Sequence, residues 1–504
     1  MIQRLASCLL IAASLPAAEF QNGQAARAVI GQPSFSAHEA GVSAAALTVG
    51  NHRLYAADSS GHVLTFDLTR VLALNDDPGD RPAPLCTACG FAPVANTSQS
   101  VIPGIAGVAV LGKTVIMADS PRHRILIWKD VSSPRSIQGP DVILGRSSDG
   151  SMSASTLADP VSVAFDGKRV FVGDAALHRV LIWNSLPAQD DQAADAVLGQ
   201  PNFASASSPD SPGPDSIGFP AALATDGGNL FVADAAARRI LVFSPGDFPL
   251  SSAAIVNSAS LSAGPLAPGT LINIKTSESL NLSEMRQDQA GRRLPKQVSG
   301  IEVLFNGMAL PLLSVKSGNI EAQLPYDIAG LTSASLSIRT QHDGTVALSN
   351  AVALKIASAS PGLYAFGGTE PRTGLLLHGG SEKSGVPASP VTGESPARPS
   401  EEITVWATGL GAVDDSDAAS RASAGVPFSG PAAPVLSALS ATVDGRPVEV
   451  RSASLTENAV GVYEIHILLP ADLHAGPNAE LVVSQSGYTS NAVLFPVTST
   501  HTEE

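Results

Sequence analysis

Charge is scarce in this 504-residue chain: Asp, Glu, Lys and Arg together make up 15% of it, against about 25% in typical soluble proteins. The net charge of -15 is spread along the sequence, and no Lys/Arg-rich stripe exists to neutralise a phosphate backbone, which excludes a nucleic-acid role. Acidity of this kind serves solubility. Beyond the N-terminus no run approaches the roughly 20 apolar residues of a spanning helix, so no membrane span is expected. Long amphipathic helical periodicity is lacking as well. So are the short words of common catalysis: there is no Gly-x-Ser-x-Gly, no His-Glu-x-x-His, and no carboxylate pair that stands apart from the repeats described below.

Cysteine is nearly absent, with three residues in all. Cys8 lies in a segment that reads as a secretory signal: Arg4 gives a positive start, Leu5 to Leu15 an apolar stretch, and Pro16-Ala17-Ala18 a small-residue cleavage zone, so residues 1-18 are expected to be removed. Leu5-Ala6-Ser7-Cys8 has the letters of a lipoprotein box, but the apolar run follows the cysteine where it should precede it. The remaining pair, Cys86 and Cys89, is expected as a disulfide in an oxidising compartment. A redox role would want the first thiol at a helix N-terminus, whereas this pair sits in a Pro-rich loop, and Gly90 in place of His excludes haem attachment.

What the chain has in abundance is glycine (45) and proline (37), a mix that favours short strands joined by tight turns. In the first half four apolar strands end in Asp: Leu54 to Asp58, Val115 to Asp119, Val170 to Asp174 and Leu230 to Asp234. A turn follows each, then a second strand, preceded in the last three copies by Arg124, Arg179 and Arg239. A third element, with the word Gly-Gln-Pro-x-Phe, lies ahead of the hairpins at Gly31 to Phe35 and Gly199 to Phe203, with a relative at Asp141 to Arg146. A further strand enters each hairpin, and three to four strands per unit make a propeller blade.

These residues resemble NHL-repeat propellers, whose blades carry an Asp, a short turn, then Arg-Ile and an apolar strand; the resemblance covers residues 25 to 248. Four copies are visible where that family commonly has six, and the first has His62 where the others have Arg.

From Ile255 the period changes. Leu266 to Ile274 parallels Ala397 to Val405; Asn306-Gly307 parallels Asp444-Gly445, both type I′ hairpin signals; Ile320 to Pro325 parallels Glu464 to Pro470; and both copies close on Ser-Asn-Ala-Val, at Ser349 and Ser490. Two copies of roughly 100 residues in short strands fit Ig-like sandwiches. With Ile255 to Ser260 as opening and Trp406 to Gly411 as centre, residues 253 to 498 resemble the tandem Ig-like C-terminal module of secreted acidobacterial proteins. That resemblance implies export and architecture, with no catalytic residue; it also places Ser400 where the family usually has Gly.

The expected fold is therefore all-β: a signal (1-18), a propeller-like repeat unit (19-250), one sandwich (251-360), a linker with a possible strand at Leu375 to His378 (361-396), and a second sandwich (397-504). Few contacts are expected across the boundary near Pro249 to Ile255. Asp58, Asp119, Asp174 and Asp234, with Arg124, Arg179 and Arg239, are expected as structural repeat positions, the Asp groups bonding local backbone amides. His123 and His178 are turn residues of the same repeat, and Asp414 to Asp417 a solvated loop lacking calcium-loop spacing. No metal or cofactor is expected. The function expected is a secreted or periplasmic non-catalytic binding or scaffold protein with an extracellular protein or glycan partner. A propeller-based hydrolase or lyase on a carbohydrate or peptide-like substrate, and a structural cell-envelope component, stand as alternatives.

Overall fold

The computed structural model describes residues 18–37, 41–58, 62–69, 89–90, 105–132, 139–145, 152–276, 285–286, 293–342, 344–379, 389–414 and 422–498. It is all-β with almost no helix. Neither the proposed signal, residues 1-17 of which lie outside the described residues, nor Cys86 can be placed, and of Cys89 only the backbone is described.

Among the described residues the first half has sixteen strands. In chain order they are β1 (Ala28–Ile30), β2 (Ala44–Gly50), β3 (Arg53–Asp58), β4 (His62–Asp67), β5 (Cys89–Gly90), β6 (Ile105–Leu111), β7 (Thr114–Asp119), β8 (Arg124–Trp128), β9 (Val142–Leu144), β10 (Pro160–Phe165), β11 (Val170–Asp174), β12 (Arg179–Trp183), β13 (Ala196–Leu198), β14 (Pro220–Thr225), β15 (Leu230–Asp234) and β16 (Arg239–Phe243). They form four antiparallel sheets of four strands: β2 to β5 (sheet 1), β6 to β9 (sheet 2), β10 to β13 (sheet 3), and β14, β15, β16 with β1 (sheet 4).

Sheet 4 thus takes its last strand from the other end of the domain, pairing Ala28 with Val242 and Ile30 with Ile240. The Gly-Gln-Pro element read as preceding each hairpin is therefore the tail of the sheet before it. Each first strand breaks register at its second residue, between Ala44 and Ala46, Ile105 and Gly107, Pro160 and Ser162, and Pro220 and Ala222. A bulge repeated at one place bends each first strand in the same way.

Alternation along the strands gives every sheet two apolar faces, and neighbouring sheets bury them against each other. Ile116, Ile127 and Val142 of sheet 2 share a core with Val170, Val172 and Trp183 of sheet 3. Phe171 and Ile182 of sheet 3 meet Leu223, Val232 and Leu241 of sheet 4, whose opposite face, with Phe231 and Ile240, meets Leu54 and Phe66 of sheet 1. Trp183 is only 1% exposed, and truncating such a side chain to Ala costs about 3–5 kcal/mol.

In the second half, residues 255–355 make two five-stranded sheets. Ile272, Ile320 and Val315 of one and Val303, Phe305 and Ile338 of the other lie in one core. Residues 362–497 make a single ten-stranded sheet that curls around its own core of Val405, Ile465, Tyr463 and Phe495. The segment expected as a linker contributes three short strands to that sheet, Gly362–Leu363, Arg372–Thr373 and Leu376–His378. The two hairpin words are used alike: Asn306 and Asp444 adopt φ of 50°, each followed by a glycine at positive φ. Their Oδ1 atoms accept from Ser335 N and Glu480 N, both at 2.8 Å.

More crosses the boundary near Pro249 than the change of repeat period suggested. Asp247 N donates to Leu348 O at 2.7 Å and Leu348 N to Asp247 Oδ2 at 2.9 Å. Phe248 bridges Ser349, and Ala25 N donates to Ala351 O at 3.2 Å. The reason is geometric: Asp247 to Leu250 run along the strand edge at Leu348 to Ala351, so the connecting segment satisfies its backbone there.

Candidate functional site

The repeated Asp and Arg positions are where the sequence concentrates polar chemistry. In three sheets they are direct cross-strand partners at the turn end of a hairpin: Asp119 with Arg124, Asp174 with Arg179, Asp234 with Arg239. Asp174 accepts from Ala158 N (3.2 Å) and Asp159 N (2.8 Å) and from Arg179 Nε (3.3 Å). Arg179 spends its other nitrogens on carbonyls, Nη1 on Phe203 (2.9 Å) and Nη2 on Thr156 (2.7 Å). Asp234 repeats the set with Gly218 N, Phe219 N and Arg239 Nε, and Arg239 donates to Phe35 O and Ser216 O. Both pairs are fully buried.

Burial pushes the Asp174 carboxyl up and the Arg179 guanidinium down, while each partner opposes the other's shift. A carboxylate enclosed by two amides and an arginine has its lone pairs occupied and faces no solvent, so it is poorly disposed to act as a base or nucleophile. Asp119 is a looser version: Arg124 Nε lies at 2.8 Å and Arg122 Nη1 at 3.3 Å, and the Arg124 side chain is 31% exposed. Asp58 ends β3 opposite Ala44, and its side chain lies outside the described residues.

The turn after each Asp places His123, His178 or Arg238 in the left-handed region, at φ of 50–52°. His178 Nδ1 meets the Gly218 carbonyl at 2.5 Å, and His123 Nδ1 meets that of Ala158. A carbonyl only accepts, so Nδ1 carries the proton in both, and each ring ties its turn to the loop entering the next sheet. Among the described residues no three His, Cys, Asp or Glu side chains converge as metal ligands; of Asp414 to Asp417 only Asp414 is described. The residues at the four bulges are Ala45, Ala106, Val161 and Ala221, none with an ionisable side chain.

Several positioning residues escaped the sequence reading although their words were visible as repeats. Gln200 Nε2 donates to His178 O (3.3 Å) and Ser207 O (2.9 Å); Gln32 Nε2 donates to Arg238 O at 3.3 Å. The Phe of the same word supplies its carbonyl to the buried Arg. In the Ser-Asn words, Asn350 Oδ1 accepts from Leu250 N (2.7 Å) and its Nδ2 donates to Leu250 O (3.0 Å). Asn491 does the same to Leu363, at 2.8 and 3.1 Å.

The two units of the second half are joined by equally specific bonds. Asn257 Nδ2 donates to Ser360 O (2.9 Å), Arg372 Nη2 to Ala259 O (2.7 Å), and Gly425 N to Gln323 Oε1 (2.6 Å). Burial pushes Tyr364, beside Ser258, up to about 12. A cavity of about 50 Å³ between Tyr326, Phe428 and Leu455 has room for a water or two and none for a sugar or peptide.

No family model and no curated protein matches the chain. Among solved structures, a computationally designed protein, Ika4, is 13% identical over 42% of this chain and 96% of its own, with a TM-score of 0.18. An endo-fucoidan hydrolase of glycoside hydrolase family 107 is 12% identical, TM-score 0.13, over 50% of this chain, which spans 30% of that enzyme. The extracellular domain of a one-component system from B. thetaiotaomicron is 8% identical over 94% of this chain and 58% of its own, TM-score 0.15. At such scores the three carry no argument about this chain.

Proposed function

We propose that the chain is a secreted, non-catalytic binding or scaffold protein, in which the four sheets act as the blades of a propeller-like unit and two Ig-like units serve as a rigid spacer or adhesion stalk. The observation that carries this reading is the complete internal use of the repeated polar groups: the donors and acceptors at Asp174, Arg179, Asp234 and Arg239 all end on the fold itself. Groups committed to architecture leave recognition to exposed loops. The bonded junctions at Asn350 and Asn257 support the stalk, because they fix one unit on the next.

The test is a glycan and peptide array with the full-length protein, paired with a product-release assay on every ligand that binds. Binding without turnover is the expected result. Product release that is abolished by Asp174→Asn or Asp234→Asn at unchanged melting temperature would overturn the non-catalytic reading and favour a hydrolase or lyase. Export is tested separately by intact mass, with the mature N-terminus expected at about residues 17–20.

A further inference from the structure

The four sheets pack in the order 2, 3, 4, 1, and the cores named above fill three seams. Among the described residues, the order leaves two flanks of the arc without a partner sheet. On sheet 2 the free flank carries Val108, Val110, Val115, Met117, Leu126 and Trp128. Each is the repeat equivalent of a residue that sheet 3 packs against sheet 2, with Trp128 standing where Trp183 stands. In sheet 3 that tryptophan is 1% exposed, whereas Val108 and Val110 are 52% and 63% exposed and Trp128 is half-buried. On sheet 1 the free flank carries Thr48, Tyr55, Ala57, Val63 and Thr65, half-buried or exposed. These are the equivalents of the sheet 2 residues that line the first seam, among them Ile116, Ala118, Ile125 and Ile127.

A row of apolar side chains patterned for burial and left in water is an interaction surface. We propose that its occupant is a second copy of this chain, the sheet 2 flank of each copy packing on the sheet 1 flank of the other. The argument is one of complementarity already realised in the molecule. Every formed seam joins one face type to the other, and among the described residues one face of each type has no partner sheet. Within the folded chain those two faces belong to opposite ends of the arc. A two-fold axis makes both contacts at once and leaves no flank open, which is how closed rather than endless assembly arises. This inference rests on the seams and stands apart from whether any ligand is bound or turned over.

The test uses the mature full-length protein in light scattering across a concentration series. A dimer is expected, and Val110→Asp should raise its dissociation constant about a hundredfold, since a carboxylate would be buried in an apolar seam without a partner. Because Val110 is exposed in the single chain, the melting temperature extrapolated to the monomer should not move. A second measurement pairs Thr48→Cys with Val110→Cys in one chain and oxidises it: a cross-link between chains supports the proposal. A cross-link within one chain, a wild type that stays monomeric, or a dimer indifferent to Val110→Asp would each overturn it.

Discussion

Asp234 Oδ2 and Arg239 Nε lie 3.0 Å apart across the end of a hairpin, both side chains wholly out of solvent. Removing one partner of such a pair leaves a buried charge unmatched. Arg239→Met is expected to cost about 3–5 kcal/mol, while Arg124→Met, at the third-exposed station, should cost about 1 kcal/mol or less. Urea denaturation of the two variants checks the order, and equal costs would mean that burial does not set the value of these pairs.

The paired asparagine clamps make a second comparison. Asn350→Ala and Asn491→Ala each strip two bonds from the backbone of a buried leucine, at about 1–3 kcal/mol apiece. Only Asn350 also holds the segment that leaves sheet 4. Limited proteolysis should therefore cut Asn350→Ala faster around residues 246–252 and leave that segment of Asn491→Ala as resistant as in the wild type.

Ser400 and Gly269 occupy the same turn in the two related units, at φ of 62° and 72°. A side chain in the left-handed region is strained, so Ser400→Gly should stabilise the protein by about 1 kcal/mol. The reverse change, Gly269→Ser, should destabilise it by about 1–3 kcal/mol, because a Cβ there meets the ring of Tyr326. Thermal melts of both variants decide the matter; shifts of the same sign would show that the turns are not equivalent.

His466 gives a pH dependence. The Glu464 carboxylate, 3.8 Å from Nε2, and the Glu402 carboxylate, 3.2 Å from Nδ1, raise the imidazole above its ordinary 6.5 against the opposing effect of burial. A group raised in the folded state adds stability below its unfolded value and loses that contribution as pH rises through the folded one. The melting temperature should therefore fall as pH increases upward from about 6.5, and His466→Asn should flatten that slope. A slope unchanged by the substitution would place its origin elsewhere.

The sequence displayed the periodic parts of this molecule well, because strand alternation and turn words are local. Asp174, Arg179 and the Asn306-Gly307 and Asp444-Gly445 turns stood out for that reason. What stayed hidden was pairing at long range: that Phe35 offers its carbonyl to Arg239, that Asn350 grips Leu250, and that the supposed linker at Leu376 to His378 lies against Ile403 to Val405. Gln32 and Asn350 were visible as repeated letters, but a letter names a donor without naming what it reaches. Which strand belongs to which sheet was likewise unreadable, since an apolar segment before one hairpin is equally suited to the end of another.

The strand borrowed by sheet 4 sets an order of events in synthesis. Ala28 to Ile30 is made more than two hundred residues before its partner, Ile240 to Val242. Until then the Phe35 carbonyl has no Arg239 to accept from, and sheet 4 cannot close on β1. A chain made from its N-terminus therefore keeps Ala28 to Ile30 without its strand partner until sheet 4 is made. Contacts that far apart in sequence form slowly, because the intervening loop must be closed first. The latch that finishes the first half also delays it.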